Sequence, residues 1–337
     1  MDKIINLNTG IISAASAVGR MEADGPLGNL FDIKDETDKY GMDSFERAEA
    51  AMQRAAMNVA ISKAGVSPTK IEALFAGDLM NQCTSSAYGM LSFDIPYFGL
   101  YGACSTAAES IMLAAITTST GIFDCAAAIT SSHYCTAERQ YRSPLEYGAQ
   151  RPPTAQWTVT GSGAFVIGKN GNVRITGALP GIVHERGIHD ANNMGAAMAP
   201  AAADTILRYY AYCGGNLDGI DMIVTGDLGK EGLEILKDLV GRDKTDIISK
   251  LDDCGKIIYD LESQDVHCGG SGCGCSAVVL ASYLLPQLEN GSINGLLFIG
   301  TGAMMSPMTI QQGEGIPAIA HLIKFETGNK KYDYRIY

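Results

Sequence analysis

The feature that most limits the fold is a unit that occurs twice: a short apolar strand that runs through glycine into a helix. In the first half, IPYFGLYG (95–102) leads into ACSTAAESIMLAAITTSTG (103–121). In the second, IDMIVTG (220–226) leads into a helix expected at 229–241. Strands that alternate with helices build a sheet whose faces the helices cover, so the chain is expected to be α/β. Two similar α/β halves, 1–178 and 179–337, are the simplest division, and 337 residues suit roughly two domains of about 100 to 200 residues each.

Local patterning fills in this frame. From Asp43, the run DSFERAEAAMQRAAMNVAISKAG places Phe45, Ala48, Met52, Ala56 and Val59 at helical spacing. Asp43, with Glu46 three residues later, is the expected cap, and Gly65 the expected stop. Ser67-Pro68 then turns the chain into a buried strand, IEALFAG (71–77), followed by a loop rich in Asn, Gln, Ser and Thr to residue 88. Further strands are expected at 125–130, 157–168, 172–178 and 296–302, and further helices from about 198 to 213 and from about 273 to 285.

Charge and composition exclude several classes. Lys plus Arg number 25 against 37 Asp plus Glu, a net charge of -12, which rules out gripping nucleic acid by bulk charge. With 46% hydrophobic and 18% charged residues, the chain is not disordered. Residues Met1 to Asn6 lack the basic and apolar stretches of a secretory signal, so an intracellular location is expected. Nine cysteines, an odd number without framework spacing, are expected as reduced thiols. The uncharged stretches 266–288 and 290–313 are long enough to span a bilayer, but Gly, Ser, Asn, Gln and Pro interrupt both, and neither is read as transmembrane.

Cys104 falls between an apolar strand and an Ala-rich helix. There the unpaired N–H groups and the helix dipole favour an anion, so the position predicts a stabilised thiolate, either a nucleophile or a pocket-lining group. A small, buried, inert cysteine is the other reading of the same spacing.

Four segments, taken in order, resemble the thiolase and ketoacyl synthase superfamily. GACSTAAES (102–110) resembles its nucleophile segment, and VTGSGAFVIG (159–168) the glycine-rich strand that closes the first half of ketoacyl synthase III. VHCGGSGCGCSAVVLASYLLPQL (266–288) resembles the glycine-rich helix start of the second half, and GLLFIGTGAMMSP (295–307) the last glycine loop. This resemblance implies a layered α-β-α-β-α arrangement of the two halves and a homodimer.

A closer resemblance, covering nearly the whole chain, is to the stage V sporulation protein AD family, the thiolase-fold branch of the system that moves dipicolinic acid into the developing spore. It is carried by FAGDLMNQ, FGLYGACSTAAES, SSHYCTAERQYRSPLEYG and TVTGSGA. The resemblance implies a protein that binds dipicolinic acid, free or as its calcium chelate, and supports its uptake. It also implies a peripheral association with the inner spore membrane through integral membrane partners, with no resident cofactor or metal.

Condensing enzymes of the superfamily activate their cysteine with two His, or a His and an Asn, from the second half. Where ketoacyl synthase III would place its His, this chain reads VTGDLGKEG, with Asp227 at or near the position. Around the next expected Asn or His it offers GGSGCGCS (269–276), and Phe298 replaces a thiolase's second cysteine. An ionised Asp227 repels an oxyanion unless its pKa is strongly raised. These departures favour a binding role over catalysis. An acyl-transfer or condensing enzyme using Cys104 is the alternative, with His267 as a substitute base.

A planar dicarboxylate calls for an apolar slot with convergent donors, arginine best of all. The candidate cluster is His133, Arg139, Arg142 and Arg151, and the competing reading pairs the arginines with Glu138 and Glu146 at the surface. His133 follows the strand CAAAITSS, at the strand end where open α/β sheets place ligands. Asp78 and Asn81 follow ALFAG in the same way, and Asp78 either holds an arginine or caps a turn. His184 and His189 invite a metal reading but read as loop residues, because HERGIHD holds no ligand set at a recognised spacing; Cys268, Cys273 and Cys275 could likewise suggest zinc, but glycine crowding and the helical run that follows favour packing.

Overall fold

The computed structural model describes residues 4–141 and 150–328. Among these residues thirteen strands are assigned: β1 (Ile5–Val18), β2 (Ile33–Lys34), β3 (Ala73–Gly77), β4 (Tyr97–Leu100), β5 (Cys125–Ser132), β6 (Trp157–Thr158), β7 (Gly161–Gly168), β8 (Val173–Leu179), β9 (Met222–Thr225), β10 (Leu251–Asp253), β11 (Gly270–Ser271), β12 (Gly295–Ala303) and β13 (Ala318–Thr327). Ten of them follow one path, β10-β9-β12-β13-β8-β1-β7-β5-β3-β4, with β2 beside β1, and β6 and β11 form a separate ribbon.

The path has an internal symmetry. Reading outward from its middle, β1-β7-β5-β3-β4 on one side is matched by β8-β13-β12-β9-β10 on the other. In both sets the first two contacts are antiparallel and the last two parallel. The sets meet where β1 and β8 pair antiparallel, so by symmetry β8 opens the second set.

Side-chain alternation along the strands builds three hydrophobic layers. In β5, Ala126 and Ala128 face one cluster while Cys125, Ala127 and Ile129 face another. In β12, Leu296 and Phe298 face the shared middle while Leu297 and Ile299 face the far side. Both faces are buried, which is why these strands read as unbroken apolar runs rather than alternating ones.

The helix Phe45–Ala64 covers the outer face of the first set through Met52, Ala56, Met57 and Ala60. Helices Met194–Tyr212 and Gly229–Val240 cover the outer face of the second through Met198, Ile206 and Leu236. Between the sets lie helices Thr106–Ser119 and Cys273–Val279, packed with Phe75, Phe165, Phe298 and Phe325. This is the expected α-β-α-β-α layering, and it carries the starts of both glycine-rich helices to the centre of the molecule.

Local details differ from expectation where a neighbouring residue competes better. The cap of the Phe45–Ala64 helix is Ser44, whose hydroxyl accepts from Arg47 N, while Asp43 pairs with the Arg47 side chain at 3.0 Å. Gly65 closes that helix at φ +64°, as expected. The strand expected at 157–168 is two, because Trp157 and Thr158 leave the main sheet to pair with Gly270 and Ser271. The helix starting at Cys273 continues past 285, through a π-helical turn at Leu280–Leu284, to Glu289. Among the described residues no helix is long and apolar enough to cross a membrane, and all nine cysteines are free.

Candidate functional site

The turn that carries Cys104 is held by its own hydroxyls. Ser105 Oγ donates to Gly102 O at 2.6 Å, Thr106 Oγ1 donates to Ala103 O at 2.7 Å, and Gly102 N donates to Thr106 Oγ1 at 2.9 Å. Ala103 sits at φ +52°, a left-handed conformation costly for a residue with a Cβ, which only a well-bonded turn sustains. Against it lies the last glycine loop: a Cβ on Gly302 would stand 2.3 Å from Gly102 O. Glycine there lets β12 touch the Cys104 turn directly.

The second half supplies the facing groups. Asp227, just past β9, accepts from Thr301 Oγ1 at 2.7 Å, from Gly272 N at 2.8 Å and from Ser271 Oγ at 3.1 Å. Gly272 adopts φ +105°, a region open to glycine, and so turns its N–H onto the carboxylate. The same Ser271 oxygen lies 4.0 Å from Cys104 Sγ. Cys104, Ser271, Asp227 and Thr301 therefore form one buried constellation. The Tyr101 and Tyr141 hydroxyls, 2.5 Å apart, are near enough to interact with Cys104 electrostatically.

These surroundings work against the expected thiolate and favour the other reading, a buried, inert cysteine. Burial, and after it the Asp227 charge, push the Cys104 thiol well above its ordinary range. A helix N-terminus stabilises an anion by only about 0.3–1 kcal/mol, too little to offset removal from water beside a carboxylate. Burial likewise raises the Asp227 carboxyl, while its hydrogen-bond donors act to lower it.

Arg151 and His267 converge elsewhere, on Asp265. Arg151 Nη2 meets Asp265 Oδ2 at 2.7 Å, and Arg151 Nη1 donates to the Asp265 carbonyl at 3.0 Å. His267 Nε2 lies 3.1 Å from Asp265 Oδ1, and its Nδ1 lies 2.8 Å from Pro152 O. The Arg151 guanidinium stands 4.8 Å from the Trp157 ring centre, and Trp157 stacks on Tyr134 at 3.8 Å.

The remaining sequence candidates among the described residues are occupied. His133 follows β5 as expected, but it is buried; its Nε2–H donates to Asp38 O at 2.8 Å and its Nδ1 accepts from Cys135 N at 3.1 Å. Both nitrogens are used, and burial lowers its pKa, so the ring is a neutral structural group. Arg139 pairs at the surface with Glu46 at 2.6 Å. Asp78 takes the capping role: it accepts from Met80 N, Ser86 N and Ser86 Oγ, and burial raises its pKa. Arg142 lies outside the described residues. Cys268, Cys273 and Cys275 each point at a different backbone carbonyl, of Pro153, Ser131 and Gly226. Phe298 is fully buried against Phe325.

Sequence reasoning passed over Ser271, Thr301 and Asp265. For Ser271 and Thr301 the usable signal was present: each is the lone hydroxyl residue inside a glycine-rich turn, GGSG and GTG, of the kind that brings backbone close to a site. Asp265 sits in a polar loop and carried none.

Comparison with known proteins agrees with this architecture. The family model described as Stage V sporulation protein AD (SpoVAD) matches residues 3–326. The Stage V sporulation protein AD of Bacillus subtilis (strain 168) is 45% identical over 315 residues, 93% of this chain and 93% of that protein. Among solved structures, an OleA variant of Xanthomonas campestris aligns with a TM-score of 0.63 at 14% identity, covering 96% of this chain and 100% of that one. The 3-oxoacyl-(acyl carrier protein) synthase III of Xanthomonas oryzae pv. oryzae aligns with a TM-score of 0.61, also at 14% identity and with the same coverage. At such low identity these two speak for the thiolase-like fold alone. With residues 3–326 matched by the family model and 45% identity to a sporulation protein over 93% of its length, this chain belongs to the stage V sporulation protein AD family.

Proposed function

We propose that the chain is a non-catalytic binding protein for dipicolinic acid, free or as its calcium chelate, and that it supports uptake of that compound into the developing spore. The observation that carries this reading is the pairing of Cys104 with Asp227. A buried thiol facing a carboxylate is kept protonated, whereas nucleophilic catalysis needs a thiolate and donors for the negative charge that develops. Among the described residues no His is bonded to either group: His133 is spent on Asp38 and Cys135, and His267 faces Asp265 and Pro152.

A site of this kind suits a bound molecule that is not transformed. An ionised Asp227 opposes a free dianion, while a calcium chelate, neutral overall, meets no such repulsion. Of the two sequence-predicted arginines among the described residues, Arg151 has the shielded guanidinium, and it supplies the fork that a carboxylate prefers. We further propose a homodimer that works peripherally at the inner spore membrane with integral membrane partners. The exposed edge strand β4, with Tyr97 and Phe98 turned outward, suits such a pairing.

The alternative, an acyl-transfer or condensing enzyme, draws on one observation: the strained Ala103 immediately before Cys104. Titration with dipicolinate, with and without calcium, together with mass spectrometry of Cys104 after exposure to acyl-thioesters, separates the two. Saturable binding without acylation is expected, with Cys104→Ala only weakening it. Rapid stoichiometric acylation of Cys104 would establish the enzyme instead.

A further inference from the structure

We propose that Arg151 and His267 form a carboxylate cradle which the chain's own Asp265 fills, and that a carboxylate of the bound ligand takes Asp265's place. This rests on the dipicolinate reading and names the groups that would meet one end of the molecule.

The cradle is built on one side and loose on the other. The Arg151 side chain is only 7% exposed, whereas that of Asp265 is 76% exposed. The guanidinium is fixed by the face of Trp157, which in turn lies flat on Tyr134 at 9° between planes. The His267 ring is fixed by Pro152 O, and its backbone, at φ +52°, is held by a bridge to Gln156. A shielded cation requires an anionic partner, so the cradle is not stable empty. The partner it has is a solvated aspartate, whose departure requires little desolvation.

The chemistry selects carboxylates. Two oxygens of one carboxylate already lie on the two side chains, Oδ2 on Arg151 and Oδ1 on His267. Nδ1 and Nε2 of His267 both face acceptors, Pro152 O and Asp265 Oδ1, so the ring is aimed at a carboxylate from one side and anchored from the other. The cradle also shares a ribbon with the thiol constellation: Trp157 pairs with Gly270 and Thr158 with Ser271, and the Ser271 hydroxyl lies 4.0 Å from Cys104 Sγ.

Trp157 is the single tryptophan of the chain, so its fluorescence reports on this stack directly. Removing the internal competitor with Asp265→Asn should tighten dipicolinate binding about tenfold, and Arg151→Lys, which loses the fork, should weaken it about tenfold. Thermal melts of both variants check that the fold is kept, and Asp265→Ala repeats the test without an amide. If wild type binds dipicolinate and every one of these variants binds it equally, the cradle is refuted while the binding function stands. If dipicolinate binds neither wild type nor Asp265→Asn, but benzoate quenches Trp157 more strongly in Asp265→Asn, the cradle stands and dipicolinate is the wrong ligand. Failure of both compounds with all variants would refute both.

Discussion

Cys104 and Asp227, from opposite halves of the chain, face each other across one hydroxyl: Ser271 Oγ lies 4.0 Å from the thiol sulfur and donates to the carboxylate at 3.1 Å. Burial raises the pKa of both groups; the Asp227 charge pushes the thiol up further, whereas the thiol, as a hydrogen-bond donor, acts to lower the carboxyl. A buried thiol kept protonated beside a carboxylate is poorly equipped for nucleophilic attack.

The thiol's reactivity follows from that arrangement. Replacing Asp227 by Asn removes a negative charge that opposes the thiolate, so Cys104 should be alkylated by iodoacetamide at pH 8 about tenfold faster than in wild type. Peptide mass spectrometry over time gives the rate. Equal rates in two folded proteins would mean that burial alone controls the thiol.

A second consequence concerns pH. Glu22 is fully buried; it accepts hydrogen bonds from the Tyr259 hydroxyl and from Thr160 N at 3.0 Å, and burial raises its pKa from 4.5 to about 7. A carboxyl whose pKa is higher folded than unfolded binds more protons when folded. Its contribution to stability is complete below 4.5 and is lost as pH rises through about 7. Glu22→Gln should therefore match wild type near pH 4.5 and exceed it at pH 8, by about 3 kcal/mol. Urea unfolding at both pH values measures this, and an unchanged difference between the two proteins would count against it.

The close approach of β12 to the Cys104 turn can be probed by adding one methyl group. In Gly302→Ala the new Cβ would stand 2.3 Å from Gly102 O and 2.8 Å from Ser105 N, both backbone atoms of a bonded turn. A loss of about 1–3 kcal/mol and a lower melting temperature are expected. Gly177→Ala, where the nearest atom is 3.4 Å away, is the control and should be close to neutral. Similar melting temperatures for the two variants would show that the turn yields without cost.

Much of the fold was legible because its signals are local. The helical spacing of Met52 and Ala56, the stop at Gly65 and the apolar runs of β5 and β12 all come from neighbours in the chain. β1 was missed because INLNTGIISAASAV has small residues and no clean alternation; its strand character comes from pairing with β7 and β8 on both sides. β13 was missed although AIAHLIKFET alternates, since its register depends on β12 and β8.

By itself, the sequence determined an α/β chain in which both halves alternate strands with helices, and a cysteine at the start of an Ala-rich helix. Whether that cysteine is charged, and which carboxylate each arginine meets, only the tertiary structure decided. Cys104 and Ser271 are 167 residues apart, and Arg151 and Asp265 114 apart. The protonation of a buried group and the choice of an ion partner depend on distance and on exclusion of water, and the chain sets neither until it has folded.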